Sequence, residues 1–308
     1  MAMRFGRLVK TILGWGVVLA SGYYLSRIVF DNWGLLQQSH INIDWLYLLL
    51  SFLPLSVSFY IGISAWRYIL KIMGYEISWH KSFWTVSGSH LAKFIPGHVV
   101  ALGGRIWLCK RENIPESIAG TGLVLEMIVQ LAASIMVFCL TAYYWIGLLA
   151  PALIVMAFVM MAFLILAAHP RLLALLWKYA PARFVQVKAK KSYSFHQVII
   201  LLFAYATAWS LQGGAVFLLI KSIYPEFGCG GVGPATGAYG GGYALGFVSM
   251  VTPGGLGIRE GVLSYLLKFF MPLPVAVLAS VLVRLCFTAF DVLMTIISLK
   301  YYRRAVTQ

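Results

Sequence analysis

Arg259 and Glu260 are two adjacent charges that follow the run Pro253-Gly254-Gly255-Leu256-Gly257-Ile258 inside a long apolar stretch. Proline removes a backbone donor and the glycines permit non-helical dihedrals, so a helix running in from about Ala238 is expected to break here and restart near Gly257. A restarting helix presents N–H groups and a positive dipole end, which suit a phosphate or carboxylate. At membrane depth each charge costs on the order of 2.5–3.5 kcal/mol or more if it faces lipid. Charges and irregular backbone are both tolerated there around a protein-lined cavity.

A second group of such residues occupies an apolar segment at 83–108, with Lys93, Pro96-Gly97, His98 and Arg105. Glu126 interrupts the next apolar run, and Arg284 and Asp291 interrupt the last. The cations Lys93, His98, Arg105, Arg259 and Arg284 suit an anionic headgroup. Glu126, Glu260 and Asp291 are suited to pairing with the arginines or to taking up protons in a coupled transport cycle. The competing reading makes the buried charges fold-holding ion pairs; it weighs more for Glu126 and Asp291 than for Arg259, whose motif breaks a helix.

Other chemistries find less support. His90 and His98 flank the first break, but no neighbouring acid or cysteine completes a metal set, and a lining or capping role is expected. The four cysteines are scattered and show no paired spacing. Residues 228–233 match G-x-G-x-x-G formally, yet they follow an apolar span and not a βαβ unit, so no dinucleotide site is expected. Gly237, Gly241, Gly242 and Gly246 read as close helix packing. No catalytic motif and no cofactor emerge.

The elements that must position these residues are membrane helices. The 308 residues are 61% hydrophobic, with a mean hydropathy of +0.86 and 11% charged residues, far from the roughly 25% of soluble domains. The net charge of +15 does not indicate nucleic acid, because the basic residues fall in short loops between apolar runs. About 17 of them lie on one set of loops and about 2, Lys221 and Lys268, on the other. The expected fold is an all-α polytopic membrane protein, one domain over 1–308, with both termini cytoplasmic. About six full spans are expected, at 11–30, 45–73, 118–144, 146–168, 197–223 and 274–299; the first is read as retained and not as a signal peptide. The basic loop at 169–196 is expected inside, with an amphipathic helix near 172–177 as one reading. The broken segments at 83–108 and 235–270 are expected to be re-entrant from opposite faces. The units 45–144 and 197–299 then form an inverted repeat, as in transporters whose sites lie where half-helices meet.

Lys93-Phe94-Ile95-Pro96-Gly97, Gly104-Arg105, Glu126 and residues 253–261 together resemble the flippase-like transmembrane region of the lysylphosphatidylglycerol synthase family. The resemblance covers nearly the whole chain, without the aminoacyltransferase domain found in the best-known member. It implies a protein of a bacterial-type inner membrane that moves an anionic or aminoacylated phospholipid, or a lipid-linked saccharide, between leaflets. Membrane lipids are then its partners, together with a lipid or polysaccharide biosynthetic enzyme. The substrate-binding residues expected are Lys93, Pro96, Gly97, His98, Arg105, Glu126, Pro253, Gly254, Gly255, Gly257, Arg259, Glu260, Arg284 and Asp291. Two other readings are an intramembrane transferase with Glu126 or Glu260 as base, and a non-transporting accessory subunit of a synthase.

Overall fold

In the computed structural model the described residues are 30, 43–90, 98–172, 193–248, 255 and 257–306. They build nine helices: α1 (Trp45–Ile72), α2 (Trp79–His90), α3 (His98–Arg111), α4 (Glu116–Leu140), α5 (Pro151–Ala167), α6 (Phe195–Ile223), α7 (Val232–Val248), α8 (Ile258–Leu267) and α9 (Leu273–Val306). Among the described residues there is no strand. Among the described residues four helices, α1, α4, α6 and the 273–301 part of α9, are long and apolar enough to cross a membrane. The expected span at 11–30, apart from Phe30, and the amphipathic helix, apart from Leu172, lie outside the described residues.

Local chemistry sets the helix ends. The Asp44 carboxylate accepts from the Leu46 amide at 2.9 Å and so caps α1. Asp44→Ala is expected to cost about 1 kcal/mol, a shift that thermal unfolding in detergent will register. The Ser194 amide donates to the Gln197 side chain at 2.8 Å and fixes the start of α6. The span expected at 118–144 ends at Leu140 in the structure, followed by a 3-10 turn over Ala142–Tyr144. Thr141 accounts for the difference, since its hydroxyl donates to the Phe138 carbonyl at 2.8 Å and accepts from the Trp145 indole at 3.1 Å. The next span, expected from residue 146, starts at Pro151 because Gly147 turns with φ of 82° and proline suits the first helical position. With 17 residues, α5 is about 26 Å long, at the short end for a spanning helix.

α7 and α8 are separate helices, because Gly255 and Gly257 have φ of 70° and 81°, a region closed to helical residues and open to glycine. At 17 and 10 residues, neither reaches the roughly 20 needed to span. α2 and α3, with 12 and 14 residues, fall short as well, and 91–97 between them lie outside the described residues.

Packing interlocks the two halves of the chain. α1 lies along α6, α4 packs on α7, and α9 packs on α2. The second long helix of each half therefore packs on the first short helix of the other. Close approach of α7 is permitted by glycine. A Cβ at Gly240 would sit 2.7 Å from the Ser134 carbonyl of α4, and one at Gly213 of α6 would sit 2.5 Å from the Thr236 Cα of α7. Of the glycines expected to serve close packing, a Cβ at Gly241 would stand 3.0 Å from the Phe138 ring of α4 and one at Gly242 would stand 3.3 Å from the Arg259 carbonyl of α8.

Candidate functional site

A cavity of about 290 Å³ opens where α1, α2, α4, α6, α7, α8 and α9 converge. Its wall is drawn from the middle of each membrane-length helix: Ser58 and Phe59 in 45–72, Glu126 and Gln130 in 116–140, Trp209 in 195–223, and Arg284 and Phe287 in 273–301. Two of the four, α4 and α9, place charges here, Glu126 and Arg284 with Asp291, while α1 and α6 contribute polar and aromatic groups.

The charges are matched across elements. Arg105 of α3 donates to Glu126 of α4 at 2.5 Å and to the Ser89 hydroxyl of α2 at 2.8 Å, with its guanidinium 5.1 Å over the Trp66 ring of α1. Glu126 also accepts from Gln130 at 3.1 Å and from the Tyr205 hydroxyl of α6 at 3.0 Å. Both members are buried. With three donors on the Glu126 carboxylate and two acceptors for the Arg105 guanidinium, the pair has the additional hydrogen bonds that make a buried ion pair tolerable. Across the cavity, Arg284 reaches Glu260 at 3.4 Å, and His90 of α2 meets Asp291 of α9 at 2.9 Å. Glu260 also accepts from the Gly257 amide at 2.7 Å. The restarting α8 thus caps itself: one of the backbone donors expected to face a ligand is taken by the helix's own carboxylate.

Arg259 is held differently. A Cβ at Gly246 would stand 2.3 Å from its Cγ, and one at Gly255 would stand 3.0 Å from Cγ and Cδ. Two glycines, one on each side of the break, therefore form a slot for the side-chain stem. The guanidinium then lies 5.4 Å over the Tyr239 ring and 5.0 Å over the Tyr243 ring, and donates to the Tyr239 hydroxyl at 3.1 Å. Among the described residues no carboxylate ion-pairs with it. Trp209 extends this aromatic wall, 4.3 Å from Tyr243 and 5.6 Å from Tyr239.

Of the residues singled out in the sequence, Glu126, Arg259, Glu260, Arg284 and Asp291 line the cavity together. Arg105 stands behind Glu126, and Gly255 and Gly257 shape the approach to Arg259. Lys93, Pro96, Gly97, Pro253 and Gly254 lie outside the described residues, as does the side chain of His98. Sequence reasoning did not single out Gln130, Tyr205, Trp209, Gln212, Tyr239 and Tyr243, and His90 entered only as a lining residue. Their spacing carried a signal: 126 and 130, 205, 209 and 212, and 239 and 243 each repeat at one helical turn.

Several apolar helices of membrane-spanning length around a charged, mid-helix cavity define a helical multi-span membrane protein. Residues 12–294 match the family described as the lysylphosphatidylglycerol synthase TM region, and the chain belongs to that family. A search of curated proteins finds no match.

Proposed function

We propose that this protein is a lipid flippase or lipid transporter, moving an anionic or aminoacylated phospholipid, or a lipid-linked saccharide, between the leaflets of a bacterial-type inner membrane. The observation that carries this reading is the position of the cavity: its wall falls midway along all four membrane-length helices, and two of them, α4 and α9, place charges there, Glu126 and Arg284 with Asp291. Charge at that depth is expensive and, by default, functional. Family membership supports a role in lipid chemistry.

The mechanism pictured is alternating access. The two halves, 45–144 and 197–299, act as repeats of inverted topology, with α2–α3 and α7–α8 re-entering from opposite faces and both termini inside. The reciprocal packing of α4 on α7 and α9 on α2 supports this arrangement. A headgroup enters the cavity from one leaflet, exchanges water for Arg259 and its aromatic wall, and leaves to the other after the halves rock. Glu126, Glu260 and Asp291 are the candidates for coupling to protons. A lipid or polysaccharide biosynthetic enzyme is the natural supplier of the lipid.

The test is translocation in proteoliposomes, using a headgroup-labelled phosphatidylglycerol and a membrane-impermeant quencher. Wild-type protein is expected to expose inner-leaflet label well above protein-free vesicles. Arg259→Gln, folded by size exclusion and thermal melting, is expected to reduce the rate by about tenfold or more, the scale of losing one charge-assisted contact of about 1.4 kcal/mol. Equal rates with and without wild-type protein would overturn the proposal. A new lipid species in mass spectra would move the assignment to an intramembrane transferase; a folded protein that moves no lipid unless its synthase is added would make it an accessory subunit.

A further inference from the structure

The cavity's charges are not equivalent, and the difference bears on which headgroup it accepts. Each of the three carboxylates already has a donor. Glu126 accepts from Arg105, Gln130 and Tyr205; Glu260 ion-pairs with Arg284 and accepts from the Gly257 amide; Asp291 meets His90. An incoming ammonium would have to displace a guanidinium or compete with these hydrogen bonds in a desolvated site. Arg259 is placed to receive an anion. Its partners among the described residues are the Tyr239 hydroxyl and two aromatic faces, which hold a guanidinium by its plane and leave in-plane N–H groups available. Such a planar donor fork matches phosphate.

The cavity lining also holds uncharged hydrogen-bonding groups: Gln212 and Thr288 offer an amide and a hydroxyl that donate and accept. The volume of about 290 Å³ lies at the low edge of the roughly 300–1,000 Å³ of small-molecule pockets. That is room for one small headgroup and not for an oligosaccharide.

We infer that the cavity selects a phosphate-bearing lipid headgroup with neutral hydroxyl groups, the phosphate against Arg259 within the Tyr239–Tyr243 cage, and that it discriminates against headgroups carrying an ammonium. This rests on the lipid-translocation reading above and narrows it, setting the cavity apart from one built for an aminoacylated lipid.

The experiment is a native mass-spectrometry titration of the purified full chain in mild detergent with phosphatidylglycerol, phosphatidylethanolamine and lysylphosphatidylglycerol, each then assayed for translocation in proteoliposomes. Phosphatidylglycerol is expected to bind at least about tenfold more tightly than either amine-bearing lipid. Arg259→Gln flattens that ranking, and Arg284→Gln, which releases Glu260 from its guanidinium, raises binding of the lysyl lipid. Glycerol 3-phosphate, which has the headgroup chemistry without acyl chains, is expected to compete only at large excess. Complete displacement by it at concentrations near that of the lipid would overturn the inference in favour of a soluble-anion pocket. Equal or tighter binding of the lysyl lipid, with translocation intact, would overturn the headgroup class while leaving translocation standing. Absence of binding and movement for every lipid would remove both. The wild-type ranking decides the matter even if Arg259→Gln does not fold.

Discussion

Replacing either Arg105 or Glu126 alone with leucine is expected to destabilise the protein by about 3–5 kcal/mol, because each change strands a buried charge. The size of the effect follows from how many elements meet at this pair. Arg105 ties α3 to Ser89 of α2 and to the Trp66 ring of α1, while Glu126 ties α4 to Tyr205 of α6. Five helices therefore share one polar network, and its loss is felt in all their packing. The double variant Arg105→Leu/Glu126→Leu removes both charges and is expected to recover most of that loss. Recovery is incomplete because the buried Tyr205 hydroxyl loses its Glu126 acceptor, at about 1–3 kcal/mol for a buried group left unsatisfied. A double-mutant cycle on unfolding free energies checks this. Additive losses in the double variant would show that the two residues do not act as a pair.

That network also marks the boundary of what the sequence makes legible. A charge inside an apolar run stands out from its neighbours, so Glu126, Arg259, Glu260, Arg284 and Asp291 are recognisable as cavity residues one by one. The backbone turn at Gly255 and Gly257 is equally legible, because proline and clustered glycine have specific conformational consequences. Partner choice is a different matter. His90 and Asp291 are 201 positions apart, and only the packing of α9 on α2 brings them together. Nothing local tells Arg105 to seek Glu126. The aromatic cage is hidden for a compositional reason: with 15% aromatic residues in the chain, Tyr239, Tyr243 and Trp209 look like ordinary bilayer-facing or interface side chains. The early end of α4 is hidden too, since Thr141 terminates the helix through side-chain contacts that hydropathy does not register.

Gly213→Ala and Gly214→Ala, a change of the same chemistry at neighbouring positions of α6, are expected to have opposite effects. A methyl group at Gly213 would stand 2.3 Å from the Thr236 hydroxyl and 2.5 Å from its Cα, whereas one at Gly214 meets nothing within 4 Å. The Thr236 Cα is backbone and does not rotate away, so α6 and α7 must separate. Overpacking of this kind costs about 1–3 kcal/mol. At Gly214 the same substitution relieves the helix of glycine's entropic cost and is expected to stabilise by about 0.5–1 kcal/mol. The gap between the two variants in thermal unfolding is therefore expected to be about 1.5–4 kcal/mol. The separation should also be read in the cavity. One turn along each helix from this contact, Trp209 of α6 packs against Tyr239 of α7 at 5.6 Å, and Tyr239 in turn carries Arg259. Gly213→Ala is accordingly expected to loosen the Arg259 cage and weaken phosphatidylglycerol binding, while Gly214→Ala leaves binding unchanged. If both variants melt alike, the tight α6–α7 contact is not what holds the cage in place.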